Sequence, residues 1–132
     1  MTRTTIDQLL DDARRRLDRL DPLATLDAIR EGATLIDIRS ESQIAQDGVI
    51  RGALVIPRNV LEWRLDPASG HRHASAPQLD DRVILMCNEG YQSSLAAATL
   101  QQLGFARATD LDGGFQSWRP AGLPTQQASE PK

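Results

Sequence analysis

The chain has 132 residues, 40% of them hydrophobic and 25% charged, with a net charge of −3 and a single cysteine. That length and balance describe one globular domain with a real core and exclude a disordered chain. The acidic balance, with no basic stripe interleaved with aromatics, excludes a nucleic-acid footprint. One cysteine excludes an intrachain disulfide, and no stretch is long and apolar enough to cross a bilayer. The N-terminus lacks the apolar core of a signal peptide, so the expected setting is cytoplasmic, with no membrane partner.

Thr5, with Gln8 three residues on, has the pattern of a capping box. Ile6, Leu9, Leu10, Ala13, Leu17 and Leu20 then recur on one helical face. Residues 1–20 are thus expected to form an amphipathic helix. Most such helices bury their stripe on their own domain; the alternative is a face for a partner protein. Asp21-Pro22 fits the cap and first turn of a second helix through Leu23, Leu26 and Ile29, closed at Gly32. Thr34 to Ile38 reads as a buried strand, and Ser40 with Gln43 caps a brief helix ending near Gly48. Ala53 to Ile56 is the next strand, stopped by Pro57, and Asn59 to Arg64 forms a short helix. The segment from Asp66 to Asp81, with Pro67, Gly70 and Pro77, reads as a long surface loop.

A third apolar run, Arg82 to Met86, carries the chain to Cys87. The polar loop Cys87-Asn88-Glu89-Gly90-Tyr91-Gln92 follows, and Ser93-Ser94 opens a helix that ends near Gly104. Thr109 to Leu111 is a last strand, Gly113-Gly114 a turn, and Phe115 and Trp118 belong to a final helix. From Thr125 to Lys132 the tail is expected to be polar and frayed. Strands alternating with helices imply a mostly parallel sheet covered on both faces. Such sheets bind ligands at the carboxyl ends of their strands, where Cys87 lies. A strand end, a tight loop and a helix N-terminus gather N–H groups around the sulfur, which favours a thiolate and can hold an anion against it. Elsewhere a lone cysteine is usually an inert core residue; this position argues for a nucleophile.

Four stretches, spanning most of residues 21–124, resemble the rhodanese-like domain family. They are Leu35-Ile36-Asp37-Ile38-Arg39; Gly48-Val49-Ile50-Arg51-Gly52-Ala53 with Ile56-Pro57; the Cys87 to Ser94 loop; and Leu111-Asp112-Gly113-Gly114-Phe115 with Trp118, Gly122 and Pro124. The resemblance implies a three-layer α/β/α fold with a mostly parallel central sheet and, here, an extra N-terminal helix. It implies a domain over residues 21–124, a tail over 125–132, and a sulfurtransferase in which Cys87 carries sulfane sulfur as a persulfide. Two residues depart from the family pattern. Val49 replaces a usual histidine, and Gln92 stands where many members carry arginine, so the loop lacks its own cation. Some active single-domain members also lack that arginine; its absence weighs against thiosulfate as the best donor.

Around Cys87 the expected substrate-binding groups are Asn88, Glu89, Gly90, Tyr91, Gln92 and Ser93. Gly90 supplies a conformation that a Cβ resists. Ser94 is expected to cap the helix, and Ser93 either caps or donates to the ligand. A carboxylate facing the sulfur would raise the thiol pKa and repel an anionic donor; Glu89 is expected to point to solvent, the alternative being an inward carboxylate with a substrate cationic or neutral around its sulfur. Tyr91 either gates the site or packs beside it. Arg58, after Ile56-Pro57, is the best candidate to face the same mouth, ahead of Arg64 and Trp63, and an arginine there would replace the missing cation. Asp37 and Arg39 are expected to support neighbouring loops, His71 and His73 to be solvated rather than metal ligands, and Phe115 and Trp118 to fill the core.

The expected reaction moves sulfur from thiosulfate or another persulfide donor to a thiol or cyanide acceptor, with no metal or organic cofactor. The alternatives are a non-catalytic binding or sulfur-relay module working with a partner protein, and phosphoryl chemistry on a similar loop. The related phosphatases use a longer loop ending in arginine, which counts against the last.

Overall fold

The computed structural model describes residues 2–128. Among these residues four short strands, β1 (Thr34–Asp37), β2 (Leu54–Val55), β3 (Val83–Met86) and β4 (Ala108–Asp110), form one parallel sheet in the order β2-β1-β3-β4. In the middle, Thr34 pairs with Val83 and Asp37 with Met86. The chain leaves β1 to one side to build β2 and to the other to build β3 and β4. The order therefore switches beside β1, and the carboxyl ends of β1 and β3 flank the crevice where sheets of this kind bind ligands.

Among the described residues six α-helices surround the sheet: α1 (Ile6–Arg15), α2 (Pro22–Arg30), α3 (Glu41–Asp47), α4 (Leu61–Leu65), α5 (Gln92–Gln102) and α6 (Phe115–Trp118). Their starts follow local chemistry. The Thr5/Gln8 and Ser40/Gln43 capping boxes close in both directions, and the Asp21 carboxylate accepts the Ala24 N–H at 2.8 Å ahead of Pro22.

Successive β3 side chains face opposite ways. Val83, Leu85 and Cys87 join Ile36, Ile56, Leu61, Leu65, Ala96, Leu100 and Phe105 on the face covered by α4 and α5. Ile84 and Met86 join Ala28, Leu35, Leu111, Phe115 and Trp118 on the face covered by α2 and α6. Each large aliphatic side chain so buried contributes about 1.5–3 kcal/mol. The indole N–H of Trp118 is not left unpaired; it donates to the Pro124 carbonyl at 2.9 Å.

Three expectations are corrected here. The first helix ends at Arg15 rather than running to residue 20. Leu20 instead pairs with Leu111, donating its N–H to the Asp110 carbonyl (3.1 Å) and accepting from Asp112 (2.8 Å); backbone pairing at the sheet edge displaces the last helical turn. The apolar stripe also divides: α1 packs along α5 through buried Ala13 with Leu17 beyond it, while Ile6 and Leu9 stay exposed. Finally, the tail is tied at Gln126, which exchanges two backbone hydrogen bonds with Val49 (2.7 and 2.9 Å). The part of the expected frayed tail from residue 129 onward, like Met1, lies outside the described residues. No helix among the described residues is long and apolar enough to cross a membrane.

Candidate active site

Cys87 follows β3 directly and is almost wholly buried. Its Sγ accepts the N–H of Gly90 at 3.1 Å, closing a tight turn over the sulfur. Gly90 has φ +87°, and a Cβ there would lie 2.8 Å from the Gly113 nitrogen. Only glycine fits both requirements.

The loop carbonyls are held from outside. Those of Cys87 and Asn88 accept the N–H groups of Phe115 (2.9 Å) and Gln116 (3.0 Å) at the start of α6. Gly114, at φ +62°, permits this approach, because a Cβ would fall 2.5 Å from the Cys87 oxygen. The Gly90 carbonyl accepts from two guanidinium groups, Arg14 Nη2 and Arg19 Nη2, both at 2.9 Å. In a planar trans peptide the carbonyl and the next N–H point in opposite directions, and the described residues contain no cis peptide. The N–H groups of Asn88, Glu89 and Tyr91 therefore point away from these three clamps. Together with those of Gln92 and Ser93, they donate to no acceptor among the described residues. Successive N–H groups free of internal partners make an anion-binding concavity.

Asp110, at the end of β4, is wholly buried and organises the side of the loop. It accepts from Ser93 Oγ (2.7 Å), Ser94 Oγ (2.8 Å), Arg19 Nε (2.9 Å) and Arg19 Nη2 (3.2 Å). Arg19 Nη1 reaches Asp112 at 3.0 Å, and Arg14 Nε donates to Ser94 Oγ at 3.2 Å. Burial alone would lower the Arg19 pKa. The hydrogen bond and charge of Asp110, followed by the charges of Asp112 and Cys87, more than offset this and hold it above its ordinary value. Arg19 is charged at any working pH.

The expected site residues are placed as follows. Asn88 is half-buried and its Oδ1 accepts from Gln116 Nε2 at 3.0 Å. Glu89 is exposed, as is Gln92 at the first position of α5. Tyr91 is 60% exposed at the rim, with the Arg14 guanidinium 5.7 Å from its ring centre. Ser93 lies buried on Asp110. Ser94 does not cap α5 as expected: no side chain caps that helix, and the Ser94 hydroxyl is drawn instead to the stronger, charged acceptor Asp110.

Arg58 is not brought into this group. Its Nη1 donates to both carboxylate oxygens of Glu62, at 2.9 and 3.0 Å, and it makes no hydrogen bond or ion pair to residues 87–94. Arg64 donates to the His71 carbonyl, Trp63 is largely exposed, and His73 Nδ1 accepts from the Ser75 N–H. Asp37 and Arg39 form a wholly buried pair (2.7 Å), with Arg39 also donating to the Gly48 carbonyl and stacking on Phe115 at 3.9 Å. They brace the residue whose N–H holds the Cys87 carbonyl. Sequence reasoning missed Arg14, Arg19 and Asp110. The available signal was Gln92 itself: a loop without its own cation invites one from elsewhere, and Asp110 is a charged residue ending an apolar strand.

The rhodanese-like domain model matches residues 21–121. The chain belongs to the rhodanese-like domain family. It is 34% identical over 110 residues to the thiosulfate sulfurtransferase GlpE of Ectopseudomonas mendocina, a match covering 83% of this chain and 91% of that protein. Among solved structures, human single domain sulfurtransferase superposes with a TM-score of 0.65 at 28% identity, covering 77% of this chain and 95% of that one. A Rhodopseudomonas palustris protein of unknown function, named as a possible tyrosine phosphatase, superposes with a TM-score of 0.85 at 30% identity, covering 96% of this chain and 99% of its own. The three-layer arrangement around a parallel sheet is thus the family's fold, with α1 lying ahead of the matched range.

Proposed function

We propose that this rhodanese-like chain is a sulfurtransferase working through a Cys87 persulfide. In the first step the Cys87 thiolate attacks the sulfane sulfur of thiosulfate or of another persulfide donor. The Sγ–S bond forms, the donor's S–S bond breaks, and sulfite or a thiolate leaves with the electron pair. In the second, a thiol in its thiolate form or cyanide attacks the terminal sulfur, and Cys87 leaves as thiolate. No redox partner is needed in either step.

The observation that carries this reading is the set of N–H groups on the loop. Gly90 already donates to Sγ, and those of Asn88, Glu89, Tyr91, Gln92 and Ser93 have no internal acceptor. A persulfide places negative charge one atom beyond Sγ, and preorganised donors stabilise charge at such a position at little reorganisation cost. The proposed roles are therefore Cys87 as nucleophile and the backbone of residues 88–93 as the anion cradle. Phosphoryl transfer fits less well: Gln92 is neutral, and the guanidinium groups of Arg14 and Arg19 are turned to the Gly90 carbonyl, Ser94, Asp110 and Asp112. A relay role, in which the acceptor thiol belongs to a partner protein, gains support from Tyr91 standing exposed on the rim.

The test is to incubate reduced protein with thiosulfate, and separately with polysulfide, then desalt and take an intact mass. Addition of one sulfur, absent in Cys87→Ser and discharged by cyanide, is the expected result. Failure of both donors to load Cys87 refutes the reading.

A further inference from the structure

We propose that Arg14 and Arg19, from the segment ahead of the rhodanese-like domain, are positioning residues for the persulfide cradle: by gripping the Gly90 carbonyl they aim the Tyr91 N–H at the transferred sulfur. The inference rests on the sulfurtransferase reading and adds to it the group that replaces the loop's missing cation.

The geometry has three parts. The two guanidinium groups converge on one carbonyl oxygen, each at 2.9 Å, although Arg14 and Arg19 sit on different local structure: Arg14 in the last turn of α1, Arg19 beside the Leu20–Leu111 bridge. Each is itself anchored. Arg14 Nε donates to Ser94 Oγ, and Arg19 is held by buried Asp110 and by Asp112. The grip has a defined consequence, since a trans peptide whose carbonyl is fixed outward has its N–H fixed inward. Gly90 is also the loop residue with the freest backbone, at φ +87°, so its peptide is the one most in need of an external hold. The Cys87 and Asn88 carbonyls, by contrast, are held by the backbone of α6. The cradle is thus held from two sides, by α6 and by the N-terminal segment, with the Ser94 hydroxyl a longer 3.4 Å contact to the Gly90 carbonyl.

The difference between those supports gives the test. Amide resonances of residues 88–93 are followed in uniformly 15N-labelled full-length protein before and after loading Cys87 with sulfur from thiosulfate or polysulfide. In the wild type the Asn88, Glu89 and Tyr91 amides all shift on loading. In Arg14→Gln and in Arg14→Gln/Arg19→Gln the Tyr91 shift shrinks, while those of Asn88 and Glu89 persist. The loading rate constant falls about tenfold in the double variant, less than the roughly 100- to 1,000-fold typical when an oxyanion donor is deleted outright. Arg14→Lys, which keeps one charged donor for the carbonyl, restores part of the Tyr91 shift. Arg14→Gln breaks no ion pair and removes no buried charge, so it remains informative if the double variant unfolds.

Loading with an unchanged Tyr91 shift in the variants overturns the inference and leaves the sulfurtransferase reading standing. Equal attenuation at Asn88, Glu89 and Tyr91 also overturns it, because a general loosening of the loop is then the cause. A wild-type protein that takes up no sulfur from either donor removes the reading and the inference together.

Discussion

Replacing Asp110 by asparagine keeps the shape of the buried side chain and removes its charge, which isolates the electrostatic part of the hub. The carboxylate accepts four hydrogen bonds, from Ser93 at 2.7 Å, Ser94 at 2.8 Å and Arg19 at 2.9 and 3.2 Å. The hydroxyls can rotate to accept from an amide, but a guanidinium cannot. Whichever way the asparagine turns, one Arg19 donor faces another donor. Breaking a buried ion pair costs about 3–5 kcal/mol. Arg19 keeps 15% of its side chain in water and retains Asp112, so the lower end applies, about 3 kcal/mol. For a domain of this size that is a fall in Tm of roughly 10 °C. Differential scanning calorimetry measures it, with Asp112→Asn as control. The Asp112 side chain is 63% exposed, and its loss costs under about 1 kcal/mol. A fall of less than about 3 °C in Asp110→Asn, or an equal fall in both variants, would refute the view of Asp110 as the charged hub of the loop.

Gly114→Ala puts a Cβ within 2.5–2.7 Å of the Cys87 oxygen and the Asn88 carbonyl group, at φ +62°; a loss of at least about 2 kcal/mol in urea unfolding and a collapse of Cys87 loading are expected. Arg58→Gln breaks only the Glu62 pair on a partly exposed turn; the expected cost is about 0.5 kcal/mol, with sulfur loading within about twofold of wild type. A tenfold fall in loading would instead return Arg58 to the site. Glu89→Gln removes an exposed negative charge at the loop; loading from dianionic thiosulfate rises about two- to threefold at low salt, and the gain disappears when salt screens it.

Much of the fold was legible because it follows from short-range rules. The Thr5/Gln8 and Ser40/Gln43 caps, the Asp21-Pro22 start and the apolar runs at Leu35 and Ile84 depend on residues within a few positions of one another. The Cys87 loop was legible for the same reason: Gly90 and the strand before it announce a turn at a strand end. What stayed hidden were long-range pairings between residues that look ordinary alone. Arg14 is one of three consecutive arginines on a charged helix, and nothing in its neighbourhood distinguishes it from Arg15, which pairs locally with Asp12. Its contacts lie 76 and 80 residues away, and those of Arg19 up to 93. At Ser94 the local use of serine at a helix start, capping, gives way to a buried carboxylate from another strand, a better acceptor. Val49 replaces the family's usual histidine, and the bridge that its backbone makes to Gln126 could not be inferred from either residue.

The end of α1 explains how such a distant residue as Arg19 arrives at the Cys87 loop. Because Leu20 pairs with Leu111, the chain is led past the carboxyl end of β4, and Arg19 is delivered beside Asp110. Asp110 then fixes the guanidinium through Nε and Nη2; Nη2 also donates to the Gly90 carbonyl, and Nη1 faces Asp112. An arginine within the loop would place its charge by a flexible side chain that must also order itself. Here the ordering entropy is met by the fold, through strand pairing and a buried carboxylate, before any ligand arrives. With Gln92 neutral, the loop still has a cation beside it: Arg19, held rigid on Asp110 and bonded to the Gly90 carbonyl.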